Sequence, residues 1–146
     1  MNSEEDRICC ALNDYVRMQY PQWRKSWWHN PNGGFRHKAT AAKLKRMGAM
    51  PGVSDYTITR PSNGYPGLFL EIKKEKGGHV EDVQKVFLVE QRRNGYMGII
   101  TFGYDESKMV IDAWFKGETW LISWMQESDS KSERNAAYKA RAESNQ

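Results

Sequence analysis

The apolar positions of the chain fall into helix-spaced and strand-spaced stretches, and their order predicts the architecture. Residues 4–20 place Ile8, Ala11, Leu12, Tyr15 and Val16 on one helical face, opened by Ser3 with Asp6 in a capping-box-like arrangement and stopped by Pro21. A short helix follows over 39–47, with Ala41, Leu44 and Met47 expected inward and Gly48 as its end. Residues 53–60 and 67–74 read as two strands joined by the turn Pro61-Ser62-Asn63-Gly64, pairing as an antiparallel hairpin. Residues 80–94 read as a helix through Val83, Val86 and Phe87, with Gln91 and Arg92 opposite and Asn94-Gly95 closing it. The apolar run 96–102, bounded by Gly95 and Gly103, predicts a strand buried between layers, reached by a right-handed crossover. A last amphipathic helix is expected over 105–116 through Met109, Ile111, Ala113 and Trp114. The sum is an α/β fold, a mixed β-sheet flanked by helices, with a site at one edge of the sheet.

Candidate chemistry is concentrated on the two central strands. Side chains alternate along a strand, so Glu71 and Lys73 share a face while Ile72 points into the opposite layer. The hairpin brings Asp55 close to Glu71. Two carboxylates and an ammonium form a metal-and-phosphate constellation, because Mg²⁺ takes hard oxygen ligands and is commonly held by one or two carboxylates plus substrate phosphate. Lys73 either orients and deprotonates an attacking water or neutralises charge developing on the phosphate. On the first helix, Glu4 and Glu5 flank the apolar face, and either is placed to reach inward as a third carboxylate. Acidic residues are also favoured in a first turn by the helix dipole alone.

Residues 22–38 change the picture most by composition. Trp23, Trp27, Trp28 and Phe35 alternate with Arg24, Lys25, Arg36 and Lys38, which combines base stacking with phosphate neutralisation as nucleic-acid surfaces do. At least one of these tryptophans is expected in the core and the basic residues outside. Asn32-Gly33-Gly34 reads as a tight turn whose bare backbone approaches a phosphate, and Lys43, Lys45 and Arg46 extend the positive surface. His29 and His37 are possible ligands, although a lone His near a turn more often serves as a hydrogen-bonding residue.

Length and charge set the outer bounds. The 146 residues suffice for one domain with a sizeable core, and no apolar stretch approaches the roughly 18 residues of a membrane helix. No cleavable signal pattern opens the chain, and the two cysteines, Cys9 and Cys10, are adjacent, without metal-site spacing. A soluble protein of the cytoplasm with free thiols is expected. The formal net charge of +4 favours a polyanionic partner.

Taken in order, Asn30-Pro31-Asn32-Gly33-Gly34-x-Arg36, Ala42-x-Leu44-Lys45-x-Met47-Gly48, Gly52-Val53-x-Asp55, Gly67-Leu68-x-x-Glu71-x-Lys73, Gln84 and Gly95-Tyr96 resemble the VRR-NUC domain of the PD-(D/E)xK nuclease superfamily, in its stand-alone phage and bacterial type. The resemblance covers about residues 4–116. It implies a restriction-endonuclease-like core and a structure-selective, Mg²⁺- or Mn²⁺-dependent DNA endonuclease, acting as a homodimer on branched or four-way junction DNA. It further implies that Asp55, Glu71 and the backbone carbonyl of Ile72 bind the metal, that Lys73 is the catalytic lysine, that Gln84 is the active-site glutamine and that Glu5 is the first-helix acid. Asn32, Gly33, Gly34, Arg36, Lys38, Lys43 and Lys45 are the expected DNA contacts. Two positions depart from the pattern: Ser54 stands where the family's usual Gly-Val-Pro-Asp has proline, and Glu81 with Asp82 replaces the Ser or Thr that often opens the Gln84 helix.

Residues 1–117 are expected to form the nuclease domain and 118–146 a C-terminal extension. In that extension Trp120, Leu121, Ile122 and Trp124 are too apolar to be left exposed, so they cap the domain or bury against a second subunit. Residues 135–143 read as a surface helix without chemistry. A non-catalytic DNA-binding module and an accessory protein of a nuclease complex are the competing readings.

Overall fold

The computed structural model describes residues 3–31 and 37–146. The expected Asn32-Gly33-Gly34 turn, Phe35 and Arg36 lie outside the described residues. The framework is a four-stranded mixed sheet in the order β1-β2-β3-β4. Strands β1 (Trp27–His29), β2 (Tyr56–Ile58) and β3 (Leu68–Lys73) are antiparallel to one another in succession, and β3 runs parallel to β4 (Met97–Phe102). Helix α1 (Glu4–Gln19) precedes the sheet, α2 (Lys38–Arg46) lies between β1 and β2, and α3 (Asp82–Arg93) makes the crossover from β3 to β4. The chain ends with α4 (Tyr104–Phe115), two short 3₁₀ turns and α5 (Lys131–Ser144).

Alternation along the strands sorts side chains into two layers. Ile58, Leu68, Leu70, Ile72, Met97 and Ile99 meet Leu12 and Val16 of α1 and Val110, Ile111 and Trp114 of α4 in the main core. Ile100 and Phe102 meet Leu88 of α3 on the other face, with Phe69 and Phe87 packed against them. The second layer is thinner, because α3 lies over β3 and β4. Between β2 and β3 the chain reverses through Asn63-Gly64, both at positive φ, with Ser62 and Tyr65 exchanging backbone hydrogen bonds of 3.0 Å. That is the pattern a hairpin turn of the primed type requires.

Three local expectations are corrected. The first hairpin strand is only Tyr56–Ile58, because residues 51–55 form a bent approach in which the Asp55 carboxylate, rather than a ladder partner, takes the Ile72 N–H. Helix α2 buries no residue, and its expected inner face of Ala41, Leu44 and Met47 is open: Ala41 and Leu44 line a shallow cleft of about 590 Å³ and Met47 is exposed. Helix α3 is rotated from the expected face. Val86 is 68% exposed while Leu88 is fully buried. Apolar residues lie nearly all around this helix, so periodicity does not choose a face; Gln84, Phe87, Leu88 and Gln91, at helical spacing, turn to the sheet instead.

The free edge of β4 is closed by side chains. The Gly98 N–H donates to Gln126 Oε1, the Gly98 carbonyl accepts from Arg92, the Ile100 carbonyl accepts from Arg134, and the Phe102 N–H donates to Glu106 Oε1. Arg134 of α5 is fully buried, paired with Glu106, and also donates to the carbonyls of Met125 and Ser128. Ile122 and Met125 enter the main core, whereas Trp120 and Leu121 stay exposed at 64% and 45%. A sheet edge occupied in this way offers no template to another strand. Arg134→Met is expected to cost about 3–5 kcal/mol, since it removes the buried cation paired with Glu106 and a donor to the Ile100, Met125 and Ser128 carbonyls. At 146 residues that corresponds to a melting temperature lowered by roughly 10 °C, read by thermal unfolding.

Candidate active site

A cleft opens at the end of the sheet, between the first turns of α1 and α3. It is lined by Glu5, Asp6 and Cys9 of α1, His29 of β1, the loop Pro51-Gly52-Val53, Asp55, Glu71 and Lys73 of β3, and Glu81 and Gln84 at the start of α3. Asp55, Glu71, Lys73, Gln84 and Glu5 therefore share one cavity. Lys38, Lys43 and Lys45 stand exposed on α2, outside it. Asn32, Gly33, Gly34 and Arg36 are not among the described residues.

The strand pairing explains the convergence. Tyr56 is opposite Leu70, so the residue before Tyr56 meets the residue after Leu70, and Asp55 faces Glu71. Asp55 Oδ2 accepts the Ile72 N–H at 2.7 Å. The N–H and C=O of one strand residue point to the same edge, so the Ile72 carbonyl also faces Asp55, whereas the Glu71 and Lys73 carbonyls bond toward Thr101 and Gly103. Lys73 Nζ stands 3.6 Å from Glu71 Oε1, both side chains almost wholly buried. Gln84 Nε2 donates to Glu71 Oε1 at 2.9 Å, while Gln84 Oε1 accepts the Glu81 N–H. Thus Glu81, standing at a position where a Ser or Thr was expected, is the N-cap of α3, and the helix start is tied to the site through Gln84. Of the two first-helix acids, Glu5 lines the cleft, with Oε2 accepting the Lys74 N–H at 3.1 Å.

Two features hold the Asp55 loop. Gly52 has φ +86°, and a Cβ there would lie 2.5 Å from the Val83 carbonyl, so only glycine lets the loop seat against α3. Asn30 bonds the loop from the other side: its N–H donates to the Asp55 carbonyl, and its Nδ2 donates to the Ser54 carbonyl and to Thr57 Oγ1. The sequence offers His29 only as a possible ligand and Asn30 only as the first residue of a motif, without placing either beside Asp55. Only the β1–β2 register, which sets Trp28 against Thr57 and His29 against Tyr56, brings them beside Asp55.

Electrostatics mark the centre. Burial pushes the Asp55 carboxyl up from its ordinary range, against the Ile72 N–H and the nearby positive charges that favour the anion. Burial and the Asp55 charge push Glu71 up as well, with Lys73 opposing. Cys9, buried beside the same carboxylates, is pushed up to about 12, so it remains a neutral thiol. Glu71 Oε2 is buried without a hydrogen-bond partner. Two carboxylates in low dielectric with one orphaned oxygen fit a divalent cation, and the donor set of Asp55, Glu71 and the Ile72 carbonyl is all hard oxygen. Among the described residues no three His, Cys, Asp or Glu side chains form a metal-binding group.

A mixed sheet with one acidic residue just before β2, a second on β3 and a lysine two residues after the second has the architecture of a nuclease-type domain. Among solved structures the chain is similar to a VRR_NUC domain protein, at 26% sequence identity and a TM-score of 0.69, over 80% of this chain and 92% of that one. The resemblance to the VRR-NUC family seen in the order of motifs therefore extends to the fold. No family model and no curated protein matches the chain. Among the described residues no helix is long and apolar enough to cross a membrane.

The raised carboxyls predict an unusual pH dependence. Each binds a proton more tightly folded than unfolded, so their contribution is fully present below the ordinary carboxylate range near about 4 and is lost as pH rises toward the folded values. In EDTA, the melting temperature relative to Glu71→Gln is expected to fall by about 3–6 °C between about pH 5 and pH 8. Added Mg²⁺ or Mn²⁺ at the higher pH should restore it in the wild type and not in Glu71→Gln. A flat or rising difference in EDTA contradicts this assignment.

Proposed function

We propose that the protein is a divalent-metal-dependent DNA endonuclease that hydrolyses phosphodiester bonds, with branched or four-way junction DNA as substrate. The observation that carries this reading is the meeting of Asp55, Glu71, Lys73 and Gln84 in one cleft with an orphaned Glu71 oxygen. Asp55, Glu71 and the Ile72 carbonyl would hold Mg²⁺ or Mn²⁺. Such an ion supplies Lewis-acid polarisation of a phosphate and a more acidic water.

The remaining roles belong to the chain's own residues. Lys73, a buried cation beside Glu71, donates hydrogen bonds to the oxygens brought to the carboxylates and offsets negative charge that develops there. Gln84 fixes the rotamer of Glu71 from the start of α3, and Glu5 ties the end of β3 to α1. Residues 32–36, with Asn32, Gly33, Gly34 and Arg36, together with Lys38, Lys43 and Lys45 of α2, track the phosphate backbone. We take residues 1–117 as the nuclease unit and 118–146 as its extension, and we place its action in the cytoplasm.

Labelled four-way junction, flap and linear duplex DNA, each with Mg²⁺, Mn²⁺ or EDTA, test the reading. The wild type should cut in metal, the branched substrates fastest, and Lys73→Ala should lose about 100-fold or more in rate while still binding DNA. Binding that persists in EDTA with no cleavage in either metal would make the protein a binding module. Absence of binding would make it an accessory protein.

A homodimer follows from the branched substrate, and the exposed Trp120 and Leu121 support it as a contact. Light scattering at micromolar concentration should give twice the 17.0 kDa chain mass. A monomer mass overturns the dimer and leaves the nuclease reading in place.

A further inference from the structure

We propose that Trp28 is a stacking platform for an unpaired nucleobase beside the scissile phosphate, so that the substrate carries single-stranded character next to the cut. The inference rests on the nuclease reading and deepens it.

Trp28 is unlike most tryptophans of this chain. Trp27 stacks on Tyr56 at 4.0 Å and is buried, Trp23 stacks on Tyr20 and Phe115, Trp114 donates its indole N–H to the Arg60 carbonyl, and Trp124 donates to the Leu121 carbonyl. Trp28 is 43% exposed, and among the described residues its ring meets no other ring and its N–H no acceptor. Trp120 is also exposed, but it lies after α4, on none of the elements that carry the carboxylates.

Placement distinguishes Trp28. It pairs across the sheet with Thr57, whose hydroxyl accepts from Asn30, and Asp55 lies two residues before Thr57 in the chain. On this face α3 lies over β3 and β4, and the Trp28 ring stays open to solvent. Asn30, on the same face, locks the end of β1 to Ser54 and Thr57, so the indole is held in register with the metal carboxylates.

Charge and chemistry choose the occupant. Exposed Arg24 and Lys25 precede β1 in the chain, and exposed Lys38, Lys43, Lys45 and Arg46 follow it, so the segments flanking the ring carry the positive charge that a phosphate backbone needs. An aromatic side chain can stack on a base only where that base has a free face. A fully paired duplex offers none at this position; a gap, flap or junction does.

The test compares wild type, Trp28→Ala and Trp28→Phe on fully paired duplex and on the same duplex with two unpaired nucleotides at the cleavage position. Binding is read by anisotropy in EDTA and cleavage in Mg²⁺ or Mn²⁺, with circular dichroism to verify folding. Trp28→Ala should weaken binding to the unpaired substrate about tenfold and leave paired duplex within about twofold, with Trp28→Phe restoring most of the loss. Replacing the unpaired nucleotides by abasic sites should reproduce the loss in wild type and add nothing in Trp28→Ala. Equal effects on both substrates, no effect on either, or loss of self-association with DNA binding intact would overturn the proposal. If no DNA is cut in metal yet the Trp28-dependent preference persists, the nuclease reading fails and the stacking site stands. If cleavage depends on Lys73 but the preference is absent, only the stacking site falls.

Discussion

Two carboxylates are buried side by side, and the rest of the site exists to make that tolerable. A buried charge without compensation costs several kcal/mol, and a second of the same sign beside it costs more. The chain meets this with the Ile72 N–H on Asp55, the Gln84 amide and Lys73 ammonium on Glu71, and nothing on Glu71 Oε2. Every one of these partners comes from β3 or the first turn of α3, so the local electrostatics and the β3–α3 crossover are one design. The divalent ion proposed for the site would bring the charge that the protein donors do not.

The stability that offsets this site is supplied away from it. The main core lies on the opposite face of the sheet, where α1 and α4 cover an almost wholly apolar layer. Those two helices are further joined by Asp112, whose carboxylate accepts from both Tyr15 and Tyr20 at 2.6 Å and pairs with Lys108. Burial pushes Asp112 up, but these donors outweigh it and hold the carboxyl below its usual range. This is the reverse of Asp55 and Glu71, where burial wins. A carboxylate is a strut in one place and a group with a raised pKa in the other, and the number of donors aimed at it decides which.

What was legible in the sequence, and what was not, follows from which groups do the bonding. Strand β3 and its Glu71-x-Lys73 pair stand out because alternation and charge agree, and Gly52 marks the loop to Asp55 because nothing larger fits against Val83. The phase of α3 was not readable, since valines surround it and the polar Gln84 faces inward to Glu71. The closure of β4 was hidden for a related reason. It is made by Arg92, Glu106, Gln126 and Arg134, residues that periodicity assigns to solvent, and a fully buried arginine in a polar helix has no sequence signature. The apolar spacing of α2 is real, but no layer lies above it, so its apolar face stays open.

Register is the quantity on which both layers depend. A slip of one residue between β1 and β2 would exchange Trp27 for Trp28, sending the exposed ring into the core and the core ring into solvent. A slip of one between β2 and β3 would part Asp55 from Glu71. Strands of three residues contribute few ladder bonds with which to resist this. Resistance comes instead from side-chain bonds outside the ladder: Asn30 to Ser54 and Thr57 across the strands, and the Trp27 N–H to Asn13, the Tyr56 hydroxyl to the Cys9 carbonyl and Ser62 to the Trp114 carbonyl, which tie the strands and their hairpin to α1 and α4. A shift of one residue between β1 and β2 would part Asn30 from Thr57. The short β1 and β2 are therefore sufficient: their alignment is supported by polar contacts outside the ladder, and that alignment leaves Trp27 buried, Trp28 exposed and Asp55 beside Glu71 in one cleft.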